Sequence, residues 1–277
     1  MKPIIHLLPL LLLFAACGNN NQDRELADSL VAEASTALDR GDFDRASELL
    51  DTLSARYPHE VEAGRNALKL RPRIMERKTA QEIIELQTLM AATSQYVDSL
   101  SRMFHSVKRS EEQLEPYLIH KDVPSNWRER NTAIARLSPS GEFYVISSLA
   151  GRTTKHTAIS FTADGITVTS GTVPFDPESS LSRESVRFAA GKADTLGVFA
   201  MQMDGNPLRL DFVGGKKAPS VTLSAKETHA IADTWRLSRA LSTIAPSGRR
   251  LEQLKAKLQV SRDQQARQNN EQTEAEK

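Results

Sequence analysis

The side chains best suited to chemistry in this chain are its histidines, and the sequence scatters them. They are His6, His59, His105, His120, His156 and His229. No two lie at the spacing of metal ligands, and no metalloprotease, nucleophile-elbow, Walker or dinucleotide-glycine motif occurs. Ser147 and Ser148 precede Lys155 and His156 closely enough to suggest a hydrolase, but serines near a lysine are common. We therefore predict a non-enzymatic protein with no catalytic residue, cofactor or metal site, and a hydrolase is the more remote alternative.

A second group of side chains is suited to binding. The basic residues Arg128, Arg130, Arg136, Arg152 and Lys155 fall in one stretch of the chain. An anionic headgroup or partner would suit such a group, and solvated surface positions are the alternative. The chain as a whole carries 36 basic and 35 acidic side chains, so it lacks the electrostatic footprint of a nucleic-acid-binding protein.

The only cysteine, Cys17, lies at the end of an apolar N-terminal segment. Lys2 supplies a positive charge, an apolar run follows, and the small residues Ala15 and Ala16 come just before the cysteine. This order is typical of a secretory signal. The run is shorter than the roughly 20 residues that cross a bilayer as a helix.

The segment resembles the lipobox of bacterial lipoproteins, although Phe14 stands where an aliphatic residue is usual. The resemblance implies a signal peptide at residues 1–16, acyl chains such as palmitate on Cys17, and a polar tether at residues 17–25. It also implies a place in the cell envelope, and Gly18 favours the outer membrane over the inner one. The alternative is an ordinary secretory signal with an incidental cysteine. With no other cysteine, the chain has no structural disulfide.

Residues 26–60 predict a helical hairpin. Apolar and small residues recur at helical spacing on both sides of a Gly41-Asp42-Phe43 turn, and Pro58 marks the end. The unit resembles one tetratricopeptide repeat, with small Ala34 and Ala46 where the helices cross. A cap on a longer helix is favoured over a peptide-binding groove, because one repeat cannot bury both of its faces.

Residues 61–129 predict a long helix with a coiled-coil seam. We place Pro72 in its first turn and its end near Glu112. Seven apolar residues follow a heptad, namely Ile83, Leu86, Met90, Val97, Leu100, Phe104 and Val107. The C-terminal region, residues 224–262, starts with a capping box at Ser224 and Glu227, and it should return antiparallel along the long helix. A parallel homodimer is the alternative partner for the seam.

Between these helices, residues 130–223 predict an antiparallel β sandwich or barrel of about eight short strands. Asp164-Gly165 indicates a tight hairpin, and we read Thr195–Met203 as one of the strands. The loop Val173–Ser180 is either a recognition loop or a rigid crossover. A break at Ala245–Gly248 and a disordered polar tail at residues 263–277 complete the prediction.

The fold class predicted is therefore α+β: a helical hairpin, long coiled-coil-like helices and a small antiparallel β domain inserted between them. The function predicted is a lipid-anchored envelope protein with an interaction or scaffolding role. Its partners would be the membrane, through Cys17, and an envelope protein. A lipid- or glycan-binding module built on the β domain is the alternative.

Overall fold

The computed structural model describes residues 20–108, 116–138, 140–151, 154–175, 182–216 and 219–275. The helices are α1 (Asn20–Asp39), α2 (Phe43–Arg56), α3 (Val61–Ser101), α4 (Asp194–Gln202) and α5 (Ala225–Ala275). The strands are β1 (Phe104–Val107), β2 (Tyr117–His120), β3 (Thr132–Leu137), β4 (Phe143–Ala150), β5 (Ala158–Ala163), β6 (Ile166–Thr169), β7 (Arg183–Phe188), β8 (Leu208–Val213) and β9 (Val221–Leu223). The chain is therefore α+β, as predicted, with a β domain between N-terminal helices and a C-terminal helix.

Two compact units divide the chain. The helical unit contains the residues up to Thr88 and those from Arg249 onward, and the β unit contains Leu89–Gly248. Helices α3 and α5 contribute residues to both. None of the helices among the described residues is long and apolar enough to cross a membrane.

The predicted N-terminal hairpin is confirmed. Ala34 and Ala46 are fully buried between α1 and α2, where small side chains let the helices approach closely. Gly41 adopts a φ of +79° in the turn, a conformation that glycine reaches without strain. Asp42 then starts α2, because its side chain accepts a hydrogen bond from the backbone N–H of Arg45 at 3.1 Å.

The start of the hairpin differs from the prediction. Helix α1 begins at Asn20, so the residues 20–25 assigned to a tether are helical instead. Ala27 is fully buried in the hairpin core, so the packed part of α1 starts near the N-terminal end of the helix. Cys17 and the predicted signal peptide lie outside the described residues.

Pro72 does not start a helix but lies inside α3, which spans Val61–Ser101. A proline there deprives the carbonyl four residues earlier, that of Leu68, of its helical donor. Helix α5 supplies a replacement, since Nε2 of Gln268 donates to the Leu68 carbonyl at 3.0 Å. Nε2 of Gln265 lies 3.4 Å from the Pro72 carbonyl. The interior proline is tolerated because a neighbouring helix satisfies the backbone it disturbs.

The same contacts correct the predicted disordered tail, which is helical as far as Ala275. Farther along, Arg262 contacts Glu76 at 3.0 Å and Arg250 contacts Glu82 at 3.3 Å. Early residues of α3 thus meet late residues of α5 in the helical unit. The two helices run antiparallel there, as predicted. These contacts involve residues 68–82 and not the predicted seam, of which Val97 and Leu100 pack against the hydrophobic core of the β unit.

Helix α5 starts as predicted and then continues through its predicted break. Oε2 of Glu227 accepts a hydrogen bond from the N–H of Ser224 at 2.8 Å, and the N–H of Glu227 donates to Oγ of Ser224 at 3.3 Å. The helix does not end at Pro246. Ser242, whose carbonyl loses its donor to that proline, is exposed, so water can take the donor's place.

The β unit contains two antiparallel sheets. One has the order β1-β2-β3-β4-β7 and the other the order β6-β5-β8-β9. Two predictions are wrong here. The long helix does not continue to Glu112, and the β domain does not begin at residue 130. Helix α3 ends at Ser101, and Phe104 and Val107 pair with His120 and Tyr117 across β1 and β2. Both residues fit the heptad, but strand pairing decides their conformation.

Residues Thr195–Met203 are also helical for the most part, not a strand, because they form α4. Leu196, Phe199 and Ala200 are buried at helical spacing. Both sheets, α4 and the N-terminal part of α5 share one hydrophobic core.

The predicted hairpin between β5 and β6 is confirmed, with φ of +49° at Asp164 and +77° at Gly165. Residues 176–180 of the predicted loop Val173–Ser180 lie outside the described residues, so its role as a recognition loop or a rigid crossover stays a prediction.

Close packing of α4 on α5 depends on Gly197. A Cβ atom there would lie 2.7 Å from ring atoms of Trp235. We expect Gly197→Ala to lower the free energy of unfolding by about 1–3 kcal/mol, because the indole would have to move within a packed core. Urea denaturation followed by circular dichroism measures the change.

The matched control is Gly248→Ala, in the same unit and also inside a helix. A Cβ atom at Gly248 meets nothing within 4 Å, so alanine should leave stability unchanged or raise it by up to about 1 kcal/mol. Equal effects of the two substitutions would contradict the packing argument.

Candidate functional site

Three clusters of functional side chains form in the β unit, and one of them joins residues named in the sequence-based hydrolase alternative. Oγ of Ser147 lies 2.7 Å from Nε2 of His156, and Nδ1 of His156 lies 2.7 Å from Oε2 of Glu184. We call these three residues the buried triad. The sequence did not indicate Glu184, which comes from β7, next to β4 in the sheet.

The electrostatics of the buried triad favour a neutral imidazole beside an ionised carboxylate. Burial lowers the pKa of His156, and Glu184 only partly offsets this effect. Burial also raises the pKa of Glu184, but the backbone N–H groups of Lys155 and His156 and the imidazole outweigh it, so the net pKa is low. These two N–H groups lie 2.7 and 3.1 Å from the carboxylate. The carboxylate is therefore fully satisfied in the protein interior.

The buried triad has the hydrogen-bond order of a catalytic triad, but the residues that the structure describes leave no route for a substrate. All three residues are completely buried. Ser147 lies in the middle of β4, which pairs with β3 and β7 on its two sides. Ser148 and Lys155 do not join the triad, since Oγ of Ser148 accepts from Nε of Arg183 at 3.0 Å and the Lys155 side chain is exposed. The triad ties the segment before β5 to the five-stranded sheet.

We expect Ser147 to stay unreactive toward a fluorophosphonate probe in the folded protein, because its hydroxyl is inaccessible. Mass spectrometry after labelling measures this directly. Labelling of the wild-type protein that disappears in Ser147→Ala would instead identify a hydrolase.

The second cluster is a cleft of about 670 Å³ lined by cationic and aromatic side chains. We call it the basic pocket. Its walls include Tyr117, Lys121, Trp127, Arg128, Arg136 and Lys226. Tyr117, Ile119 and Lys121 alternate along β2 and just beyond it, so all three side chains face the pocket. Asp122 is the one acidic residue among the described lining residues.

Arg136 forms the floor of the basic pocket. Its guanidinium carbon lies 4.3 Å from the ring centre of Tyr117 and 4.8 Å from that of Trp127. The residue is only 2% exposed, yet its Nε has no hydrogen-bond partner. No carboxylate of the described residues forms a salt bridge with it. Burial accordingly lowers the pKa of Arg136 from its ordinary value.

The other basic residues of the predicted group do not all lie in the basic pocket. Arg128 stacks on Trp127 at 4.8 Å and joins the basic pocket. Arg130 pairs with Glu227 at 3.0 Å, whereas Lys155 lies next to the buried triad. Arg152 lies outside the described residues. Sequence reasoning found two of the pocket's cations and missed Lys121 and Lys226, although the alternation Tyr117, Ile119, Lys121 was a usable signal.

The third cluster joins two of the scattered histidines. His120 ends β2, and His229 and Asp233 lie one turn apart on α5. Oδ2 of Asp233 is 3.6 Å from Nε2 of His120 and 3.3 Å from Nε2 of His229. We call these three residues the histidine cluster. The spacing between histidines does not indicate this cluster, because His229 pairs with Asp233 four residues later and His120 comes from a distant strand.

Asp204 and Arg236 border the histidine cluster. Oδ1 of Asp204 accepts a hydrogen bond from Nδ1 of His229 at 2.7 Å. Arg236 bridges Asp204 and Asp233 at 2.6 and 2.8 Å. The hydrogen bond to Asp204 raises the pKa of His229, against the effect of burial. Burial raises the pKa of Asp204, but His229 and Arg236 outweigh it and hold that pKa below its ordinary value.

The β unit also has an apolar groove of about 820 Å³. Tyr96, Val198, Met201 and Trp235 line it, and Arg239 lies at its edge, 5.6 Å from the ring centre of Trp235. Exposed Val198 and Met201 give this groove a surface that water solvates poorly.

Comparison of the chain with protein-family models, with curated proteins and with solved structures gave no match. The functional argument therefore comes from the geometry of the β unit and from the sequence.

Proposed function

We propose that the β unit binds the anionic group of an envelope molecule, such as a phosphate ester on a lipid headgroup or a glycan. The observation that supports this proposal is Arg136, a buried guanidinium whose Nε has no hydrogen-bond partner and which forms no salt bridge with a carboxylate of the residues that the structure describes. Buried charges are normally paired, because an uncompensated one is costly. A ligand anion would supply the missing charge.

The surroundings of Arg136 fit such a ligand. Lys121, Arg128 and Lys226 add positive charge around the cleft. Tyr117 and Trp127 contact the guanidinium through their rings and Tyr144 hydrogen-bonds to it, so Nε is the part of its edge that remains for a ligand. A cleft of about 670 Å³ is much larger than a free phosphate ion, and it falls within the range of small-molecule sites. The ligand is therefore a larger molecule that carries the anion.

We also propose that the protein is held in the cell envelope by lipid on Cys17. The lipobox-like segment supports this proposal. A lipid anchor would also define where the interaction takes place. The anchor fixes the chain near a membrane surface, and the basic pocket recognises an anionic component there. A second role as a scaffold for an envelope protein fits the same anchor.

Loss of the lipid should release the protein. We expect Cys17→Ala to move the chain from the membrane fraction to the soluble fraction, because no acyl chain can then insert. Fractionation followed by immunoblotting measures this. Membrane retention of the variant would show a different anchor.

Binding should depend on the buried guanidinium. We expect Arg136→Met, made in the soluble Cys17→Ala background, to weaken binding about 10- to 100-fold, since a charge-assisted hydrogen-bond pair is lost. Isothermal titration calorimetry with glycerol 3-phosphate, glucose 1-phosphate and phosphatidylglycerol vesicles distinguishes soluble from lipid ligands. Inorganic phosphate tests whether the anion alone suffices.

Two further measurements make this test specific. The control is Arg187→Met, because Arg187 also stacks on a tyrosine, with 4.0 Å to the Tyr144 ring centre, but does not line the pocket. It should bind as the parent does. Arg136→Met should also unfold with a free energy within about 1 kcal/mol of the parent or above it, because a buried unpaired charge is removed. No binding by the parent, or equal binding by Arg136→Met, would contradict the proposal.

A further inference from the structure

We propose that the histidine cluster of His120, His229 and Asp233 binds a divalent transition-metal ion of the zinc class. This site is separate from the basic pocket and does not depend on the function proposed above. It was absent from the sequence prediction, which contained no metal site.

The distance between the candidate ligand atoms of His229 and Asp233 already matches coordination, and His120 lies slightly farther away. Ligand atoms about 2.0–2.1 Å from a tetrahedral zinc ion are about 3.3 Å from one another. Oδ2 of Asp233 is 3.3 Å from Nε2 of His229 and 3.6 Å from Nε2 of His120. All three candidate ligand atoms lie within 4.8 Å of one another. A small inward movement of His120 completes three ligands around one ion.

An unpartnered nitrogen points independently to a ligand. His120 is completely buried, and its Nε2 has no hydrogen-bond partner. Its ring is held edge-on by Phe104, with 5.0 Å between ring centres, and by the backbone of Asp122. A buried polar atom without a partner is costly in a packed interior. Metal coordination would use this atom.

The neighbouring residues orient the ligands as metal sites require. Nδ1 of His229 donates to Asp204 at 2.7 Å, which leaves Nε2 as the ring nitrogen that binds a metal, with loss of its proton when the ring is charged. Arg236 donates a hydrogen bond to Oδ1 of Asp233 at 2.8 Å, so Oδ2 is the oxygen that faces both histidines. Asp204, Asp233 and Arg236 together carry one net negative charge, which favours a cation.

The donor set selects the class of metal. Two imidazole nitrogens and one carboxylate suit zinc and its neighbours, whereas calcium and magnesium prefer oxygen ligands throughout. His120 and Asp233 are buried, but the His229 side chain is 39% exposed. A water molecule or an exogenous ligand therefore has access to the fourth coordination position.

Metal binding requires a change of tautomer at His120. Its Nδ1 accepts a hydrogen bond from the backbone N–H of Asp122 at 3.1 Å, so the neutral metal-free ring carries its proton on Nε2. Coordination through Nε2 moves that proton to Nδ1, and the Asp122 N–H gives up its acceptor. At His120, one neutral hydrogen bond is exchanged for a metal bond and the ring keeps its single proton.

The test is a zinc titration of the tag-free, metal-stripped full-length chain against a chromophoric chelator. We expect one equivalent of zinc to bind, and affinity to fall at least about 10-fold in both His229→Gln and Asp233→Asn. The control is His59→Gln, since His59 is exposed and belongs to the helical unit. It should bind zinc as the wild-type chain does.

A second readout does not depend on any substitution. Long-range ¹H–¹⁵N spectra of the histidine rings should show His120 change from the Nε2–H to the Nδ1–H tautomer when zinc is added, with a shift of the Asp122 amide signal. Failure of the wild-type chain to take up one equivalent of zinc would overturn the proposal. Unchanged binding by His229→Gln, or an unchanged His120 tautomer in the zinc-bound chain, would overturn it as well.

Discussion

The placement of one charged side chain governs the proposed function of the β unit. Pairing of β3 with β2 and β4 buries Arg136 between the rings of Tyr117 and Trp127. A core built for stability alone would pair this guanidinium with a carboxylate or replace it with an apolar side chain. Arg136 is instead only 2% exposed, lines a cleft that also carries Lys121, Arg128 and Lys226, and forms no salt bridge with a carboxylate of the described residues. The cost of that arrangement is the physical basis of the proposed anion binding.

A single short strand, β2, separates the two candidate sites. Successive side chains of a strand point to opposite faces of its sheet. Tyr117 and Ile119 face the basic pocket, whereas His120 contacts Phe104 and His229 on the other side. Asp122 connects the two sites. Its backbone N–H donates a hydrogen bond to His120, and the same residue lines the basic pocket. The two sites therefore share one rigid element but no ligand atom.

Local patterns in the sequence predicted the local structure well. The hairpin around Gly41, the Ser224 capping box and the Asp164-Gly165 turn each depend on a few consecutive residues, and each is confirmed. The errors arise where contacts with distant parts of the chain determine the local conformation. Pro72 is tolerated inside α3 only because of Gln268, and Phe104 leaves the heptad because it pairs with His120. The apolar residues at 195–202 would suit either a strand or a helix. They form a helix in the structure, and this helix packs against Trp235.

The candidate sites were still harder to predict, for the same reason. The buried triad draws on three separate segments, and the histidine cluster joins β2 to α5. Arg128 and Arg136 are visible in the sequence as members of a basic group, but nothing in the sequence indicates that Arg136 is buried with its Nε unpartnered. Charge and residue type are visible in one sequence, whereas burial and missing partners are properties of the folded chain.

The most direct test of the account concerns the Nε–H of Arg136 itself. Its ¹H–¹⁵N signal can be followed by NMR while glycerol 3-phosphate is added to the soluble chain. The account predicts a saturable shift of this signal, and a smaller or absent shift for Arg187. An Arg136 Nε–H signal that stays unchanged at saturating concentrations of every anionic ligand would contradict the central claim.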